Sequence, residues 1–197
     1  MSPADIRRLA RQYANQKKPL DIMEDIVFKE VFSGDDEDSR EALRLLLSSI
    51  IHREVSQVEI LNTEIFPEHL GAKTARLDLH VNFNEGEAAD LEMQMGLSGD
   101  NLKNRAAYYA ARLLSGQAEK GEHYSQIKRV YQVFFLNSTL FPGSKKFPRR
   151  YFLMEEEEHD KLSEVEEVIF YELPKLEGLV NAWLEGRLPL ITPVLPS

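Results

Sequence analysis

The chain contains no cysteine, which excludes disulfides, zinc ribbons and thiol catalysis. It also lacks a long apolar run. The longest, around Leu43 to Ile51, is broken by Arg44 and two serines and is too short to cross a bilayer. No apolar signal core follows the basic N-terminus, so a cytoplasmic location is expected. Internal repeats and long low-complexity linkers are absent as well. What is present is ordinary for a soluble domain: 197 residues, 43% apolar and 29% charged. That length suits one domain with a substantial core and a small appendage. The division expected is a helical extension over residues 1–20 and a single domain over 21–197.

The formal net charge of −9 argues against a passive nucleic-acid coat protein. The charge is unevenly placed, however. Arg7, Arg8, Arg11, Lys17 and Lys18 face only Asp5 in the first 18 residues. Lys145, Lys146, Arg149 and Arg150 surround Phe147 and Pro148, and eight acids crowd residues 155–167 against Lys161. Such runs read first as solvated surface. Net charge therefore leaves DNA binding open.

Helical spacing of apolar residues predicts helices over 2–16, 21–32 and 35–52. The period then changes. Val55, Val58 and Ile60 read as a strand, and residues 74–83 alternate strictly, with Leu77, Leu79, Val81 and Phe83 against Arg76, Asp78, His80 and Asn82. After Asn84-Glu85-Gly86 the alternation resumes, Ala89, Leu91 and Met93 against Asp90, Glu92 and Gln94. A helix over 101–119, a continuous apolar strand over 130–136, a strand at 168–171 and a closing helix over 173–185 complete a mixed α/β domain.

Asn84-Glu85-Gly86 fits a three-residue hairpin loop, a type I turn closed by a left-handed glycine. With Phe83 and Glu87 flanking it, Asp78 lies across from Glu92, Arg76 from Gln94 and His80 from Asp90. Leu77 then meets Met93, Leu79 meets Leu91, and Val81 meets Ala89. Like charges directly opposed across a strand pair repel. Asp78 and Glu92 are therefore either a solvent-screened acidic pair or a pair that shares a divalent cation, and oxygen ligands suit Mg²⁺ or Mn²⁺. A register slip of one residue would undo the pairing.

The run Leu77-Asp78-Leu79 with Leu91-Glu92-Met93-Gln94 resembles the aspartate and Glu-X-Gln elements of the PD-(D/E)XK nuclease superfamily, in its transposase-like or recombination-promoting branch. Asp25, Phe28, Lys29 and Phe32 match that branch's early Asp-X-X-Phe-Lys-X-X-Phe segment. Arg105, Tyr108 and Tyr109 match its Arg-X-X-Tyr-Tyr helix, and Gln117, Gly121 and Tyr124 its Gln-X-X-X-Gly-X-X-Tyr run. The likeness spans roughly residues 21–141, and Tyr171-Glu172-Leu173-Pro174-Lys175 resembles the family's tail. No single motif is specific; the ordered set is.

The resemblance implies a restriction-endonuclease-like α/β fold, a mixed sheet flanked by helices, making residues 21–197 a nuclease-like domain. It implies metal-dependent hydrolysis of DNA phosphodiesters with Mg²⁺ or Mn²⁺. By matching positions, Asp78, Glu92 and the Met93 backbone carbonyl would hold the ion, with Asp25 a further acidic group. Gln94 stands where the superfamily usually has lysine. It can orient water or phosphate but carries no charge, so Lys29, four residues after Asp25, is the candidate replacement. Arg105, Tyr108 and Arg112 share one helix stripe and would contact DNA, the arginines through phosphates; rim arginines beside buried tyrosines are the structural alternative. The partners implied are DNA and, as one form, a second copy of the chain, with no membrane and no organic cofactor. Two other readings stand beside a nuclease that cuts DNA: a nuclease-fold protein that binds DNA or a protein without cutting, and a hydrolase acting on RNA or another phosphoester.

Overall fold

The computed structural model describes residues 25–61, 64–65, 75–76, 78–96, 101–117 and 123–176. The extension expected over 1–20, Gly121 and the closing helix beyond residue 176 lie outside the described residues. Helix α1 (Asp25–Phe32) leads into α2 (Glu37–Ile51). The start of α2 is set by Asp36, whose side chain accepts the Ser39 N–H at 2.9 Å. Leu43, Leu47 and Ile50 recur at helical spacing and are buried, forming the stripe that docks on the sheet.

Six strands form the main sheet: β1 (Val58–Ile60), β4 (Leu79–Phe83), β5 (Glu87–Gln94), β6 (Val130–Leu136), β7 (Arg149–Tyr151) and β8 (Glu166–Glu172), in the order β1-β4-β5-β6-β8-β7. Strands β5, β6 and β8 run parallel and carry the centre; β1, β4 and β7 are antiparallel to their neighbours. Two short strands, β2 (Glu64–Ile65) and β3 (Ala75–Arg76), pair separately. Helix α3 (Leu102–Ser115) makes the crossover between parallel β5 and β6.

Period-two alternation assigns the faces. Leu79, Val81, Ala89, Leu91, Met93, Val133 and Phe135 pack with α1 and α2. Ala88, Val130, Phe134, Leu136 and Phe170 point the other way, onto Leu102, Ala106 and Leu113 of α3. The fold is restriction-endonuclease-like: a mixed sheet with helices on both faces.

Four expectations need correction. The strand read over 74–83 is interrupted: β4 begins at Leu79, Asp78 sits in a bend, and Arg76 pairs with Glu64 rather than Gln94. Leu77, expected opposite Met93, lies outside the described residues. The hairpin loop has the expected left-handed Gly86 at φ 94°, yet Asn84 is also left-handed at φ 48°, whereas the first central residue of a type I turn lies near about −60°. Asparagine tolerates this conformation, and here it ties the loop to the β1 approach: its Oδ1 accepts the Ser56 N–H and its carbonyl accepts Gln57 Nε2. Strand β5 is buried on both faces, so Glu92 is not the solvent-screened acid of the first alternative, because α3 covers that side of the sheet. Finally, Arg149 and Arg150, read with Lys145 and Lys146 as solvated surface, open the edge strand β7, and Arg150 pairs with the buried Glu167.

Candidate active site

Beyond the Leu79–Leu91 pair the backbone ladder of β4 and β5 ends, and the Asp78 side chain takes over. Its Oδ2 accepts the Met93 N–H at 3.2 Å, while the Asp78 N–H donates to Glu92 Oε1 at 3.1 Å. A short polar side chain that bonds the neighbouring backbone competes with the ladder, which is why the chain bends here. The two carboxylates are thus joined through each other's strands. Asp78 does face Glu92, as the hairpin register requires, and His80 lies opposite Asp90.

Two cations reach this edge from opposite faces of the sheet. Lys29 Nζ on α1 lies 3.1 Å from Asp78 Oδ1, and Arg105 Nη2 on α3 lies 3.1 Å from Glu92 Oε2. Arg105 is held over the Tyr109 and Phe134 rings. Simple repulsion between two solvated acids is therefore the wrong picture, because each acid has its own cation. Glu92 is nevertheless only 2% exposed. Burial first and the Asp78 charge second raise its carboxyl to about 7, with Arg105 and Lys29 opposing. Gln94 Nε2 lies 3.4 Å from Glu92 Oε2, the outer end of the same group.

The expected residues separate accordingly. Asp78, Glu92, Gln94, Lys29 and Arg105 come together. Asp25 opens α1 four residues before Lys29, but its side chain lies outside the described residues. Tyr108 is 38% exposed with its ring 6.1 Å from that of Tyr109, and Arg112 is half-buried two turns along α3. Arg105 is turned inward to Glu92, a contact that helix spacing alone did not reveal.

Sequence reading placed Asp90 only as the partner of His80, and it missed Gln132. Both are fully buried on the α3 face, and Gln132 Nε2 donates to Asp90 Oδ2. Burial, reinforced by Glu92, pushes the Asp90 carboxyl well above the usual range. The available signal was a glutamine inside the apolar run 130–136, beside a strand with polar residues at 90, 92 and 94.

The donor set suits a hard divalent cation. Two carboxylates converge, and an extended residue points its N–H and C=O to the same side, so the Met93 carbonyl faces the side of Asp78. Among the described residues no three acidic or histidine side chains are grouped for a metal. Two carboxylates and a carbonyl are oxygen donors of the kind Mg²⁺ takes, since it typically keeps several waters and binds through one or two carboxylates. Glu92 supports the fit: Lys29 and Arg105 together leave its carboxyl raised, and a further positive charge would favour the ionised form.

The sequence profile of PD-(D/E)XK nuclease family transposases matches residues 22–183. The chain belongs to that family. No curated protein and no solved structure matches it. The family match covers every described element of this nuclease-type transposase domain, from α1 to β8. Concavities lined by Arg53, Glu54, Gln57, Asn84 and Glu87, and by Lys128, Arg129 and Glu164, lie at the turn end of the hairpin, away from Asp78 and Glu92. The carboxylates of this transposase-family domain lie where β4 begins and β5 ends, on interior strands of the sheet. No helix among the described residues is long and apolar enough to cross a membrane.

Proposed function

We propose that the chain is a divalent-metal-dependent DNA endonuclease that hydrolyses phosphodiester bonds. The observation that carries this reading is the joined pair of Asp78 and Glu92, each backed by one cation from an opposite face of the sheet. Asp78, Glu92 and the Met93 carbonyl would hold Mg²⁺ or Mn²⁺. When bound, such an ion polarises a phosphate and acidifies water.

The remaining work falls to the chain's own groups. Gln94, beside Glu92, offers an amide that orients the attacking water. Lys29 is the charge nearest Asp78 and takes the part of the lysine absent at position 94, stabilising negative charge that develops on the phosphate. Asp25, at the start of α1, is the further acid. Arg105 fixes the Glu92 carboxylate and so acts as a positioning residue, while Tyr108 and Arg112 on the same helix stripe reach toward the DNA backbone.

The test is supercoiled plasmid incubated with purified protein and Mg²⁺ or Mn²⁺, with and without chelator. Nicking or linearisation that needs the ion and disappears in Glu92→Gln is expected. Cutting that survives in that variant would overturn the assignment. A second reading, a nuclease fold that binds DNA without cutting, has the uncharged Gln94 in its favour. It predicts a plasmid left intact but retarded on a gel.

A further inference from the structure

In a protein of net charge −9, most described arginines and lysines meet a carboxylate, as Arg53 meets Glu87, Arg129 and Arg150 meet Glu167, and Lys175 meets Glu172. Lys103, Lys145, Lys146 and Arg149 have no such partner among the described residues. Lys103 is distant in sequence from the other three, yet the topology collects all four at one end of the sheet. Lys103 is in the first turn of α3, which leaves the carboxyl end of β5. Lys145 and Lys146 are exposed on the loop leaving the carboxyl end of β6. Arg149 begins β7 and pairs with Phe170.

The register makes the placement quantitative. Glu92, Phe134, Phe170 and Arg149 form one cross-strand row. Three strand spacings put Arg149 about 14 Å from Glu92 along that row, which is about four nucleotide steps at the axial rise of one DNA strand. Paired residues share a face, so Arg149 lies on the α3 side with Glu92 and Arg105.

Lys103 and Arg149 are held firmly. The Lys103 ammonium is 4.8 Å and the Arg149 guanidinium 4.5 Å from the centre of the same Phe141 ring. Phe141 is fixed in turn: its N–H donates to Glu172 Oε1 at 2.9 Å and its carbonyl accepts Lys175 Nζ at 3.1 Å. Arg149 Nε donates to Tyr151 Oη at 3.0 Å, and its terminal nitrogens have no acceptor among the described residues. Cations braced on aromatic faces, without a carboxylate to neutralise them, are set for an external anion.

We propose that Lys103, Lys145, Lys146 and Arg149 form a phosphate-tracking strip. It holds duplex DNA across the carboxyl ends of β5, β6 and β8, on the α3 side of the sheet. The location of the scissile phosphate at Asp78 and Glu92 rests on the nuclease reading above; the binding itself does not. Lys128, equally unpaired but at the amino end of β6, and Arg40 on α2 fall outside the strip.

Fluorescence anisotropy of a short labelled duplex, titrated in chelator across a range of KCl, tests the strip with the full chain. Removing one cation that touches a phosphate should flatten the slope of log affinity against log salt by about 0.9. The triple variant Lys103→Gln, Lys146→Gln, Arg149→Gln should therefore be shallower than wild type by about 2 to 3. Lys145→Gln with Lys146→Gln, both fully solvated, guards against loss of fold and should show a drop of about 2. Lys128→Gln and Arg40→Gln should match wild type. Wild-type slopes in both strip variants, or no duplex binding by wild type at any salt, overturn the strip. Failures of the two ideas separate cleanly. Glu92-dependent cleavage with slopes unchanged in the strip variants removes only the strip. A strip-dependent slope with no cleavage by wild type supports the strip and removes the nuclease reading.

Discussion

Replacing Glu92 by glutamine tests the electrostatics of the candidate site without reference to cleavage. In metal-free protein the Glu92 carboxyl is raised from 4.5 to about 7, first by burial and then by Asp78. A carboxyl whose folded pKa exceeds its unfolded one holds more protons in the folded state between the two values. Its contribution to stability is complete below about 4.5 and is lost as pH rises through about 7. A tenfold difference in proton affinity between the folded and unfolded states corresponds to about 1.4 kcal/mol. Between about pH 5 and pH 8, wild type should thus lose on the order of 2 kcal/mol that the glutamine variant keeps. For a domain of this size that is about 4–8 °C in melting temperature. The absolute level also moves, because glutamine has one acceptor oxygen where Glu92 serves both the Asp78 N–H and Arg105. The pH slope of the difference is therefore the quantity to read, since the other titrating groups are common to both proteins, with Asp90, which the Glu92 charge helps to raise, the exception. Melting curves in chelator at several pH values suffice. A difference that is flat from pH 5 to pH 8 would refute the claim that burial and the Asp78 charge raise the Glu92 carboxyl. Adding Mn²⁺ at the alkaline end should raise wild type alone, because an ion that binds only the folded state stabilises it.

Asp78→Asn should melt lower than wild type in chelator, by about 0.5–1.5 kcal/mol, because it loses the charge that holds Lys29 and weakens the acceptor for the Met93 N–H. An increase would mean that repulsion from Glu92 outweighs both interactions. Arg105→Gln leaves Glu92 buried without its nearest cation, and should cost on the order of 2 kcal/mol, short of the full penalty for an orphaned charge because Glu92 can take up a proton. Plasmid cleavage should fall with it, and unchanged activity would return Arg105 to a purely packing role. Asp90→Asn removes a fully buried carboxyl that burial already disfavours as an anion, so thermal stability near neutral pH should rise, on the order of 1 kcal/mol. A clear fall in melting temperature would show that the ionised form of Asp90 is needed.

Local patterning determined a good deal of this molecule. Alternation on either side of Asn84-Glu85-Gly86 set the register in which Leu79 meets Leu91 and His80 meets Asp90, because a strand's two faces leave room for only one in-phase pairing. Helical spacing placed α1, α2 and α3 to within a few residues of the observed bounds, since each carries an apolar stripe and α2 and α3 carry their own caps. Those signals reach only a few residues along the chain. The bend at Asp78 depends on the Met93 N–H across the strand pair, and β7 is too short to show a period of its own. The parallel docking of β6 against β5 is a crossover through residues 95–129, roughly the scale of a βαβ unit, and it turns Glu92 and Asp90 from surface acids into buried ones. The same crossover brings Arg105 to Glu92 on one face, while α1 delivers Lys29 to Asp78 on the other. Which residues carry the charges was written in the sequence; how strongly those charges act was decided by tertiary packing, because desolvation and pairing exist only once distant segments meet.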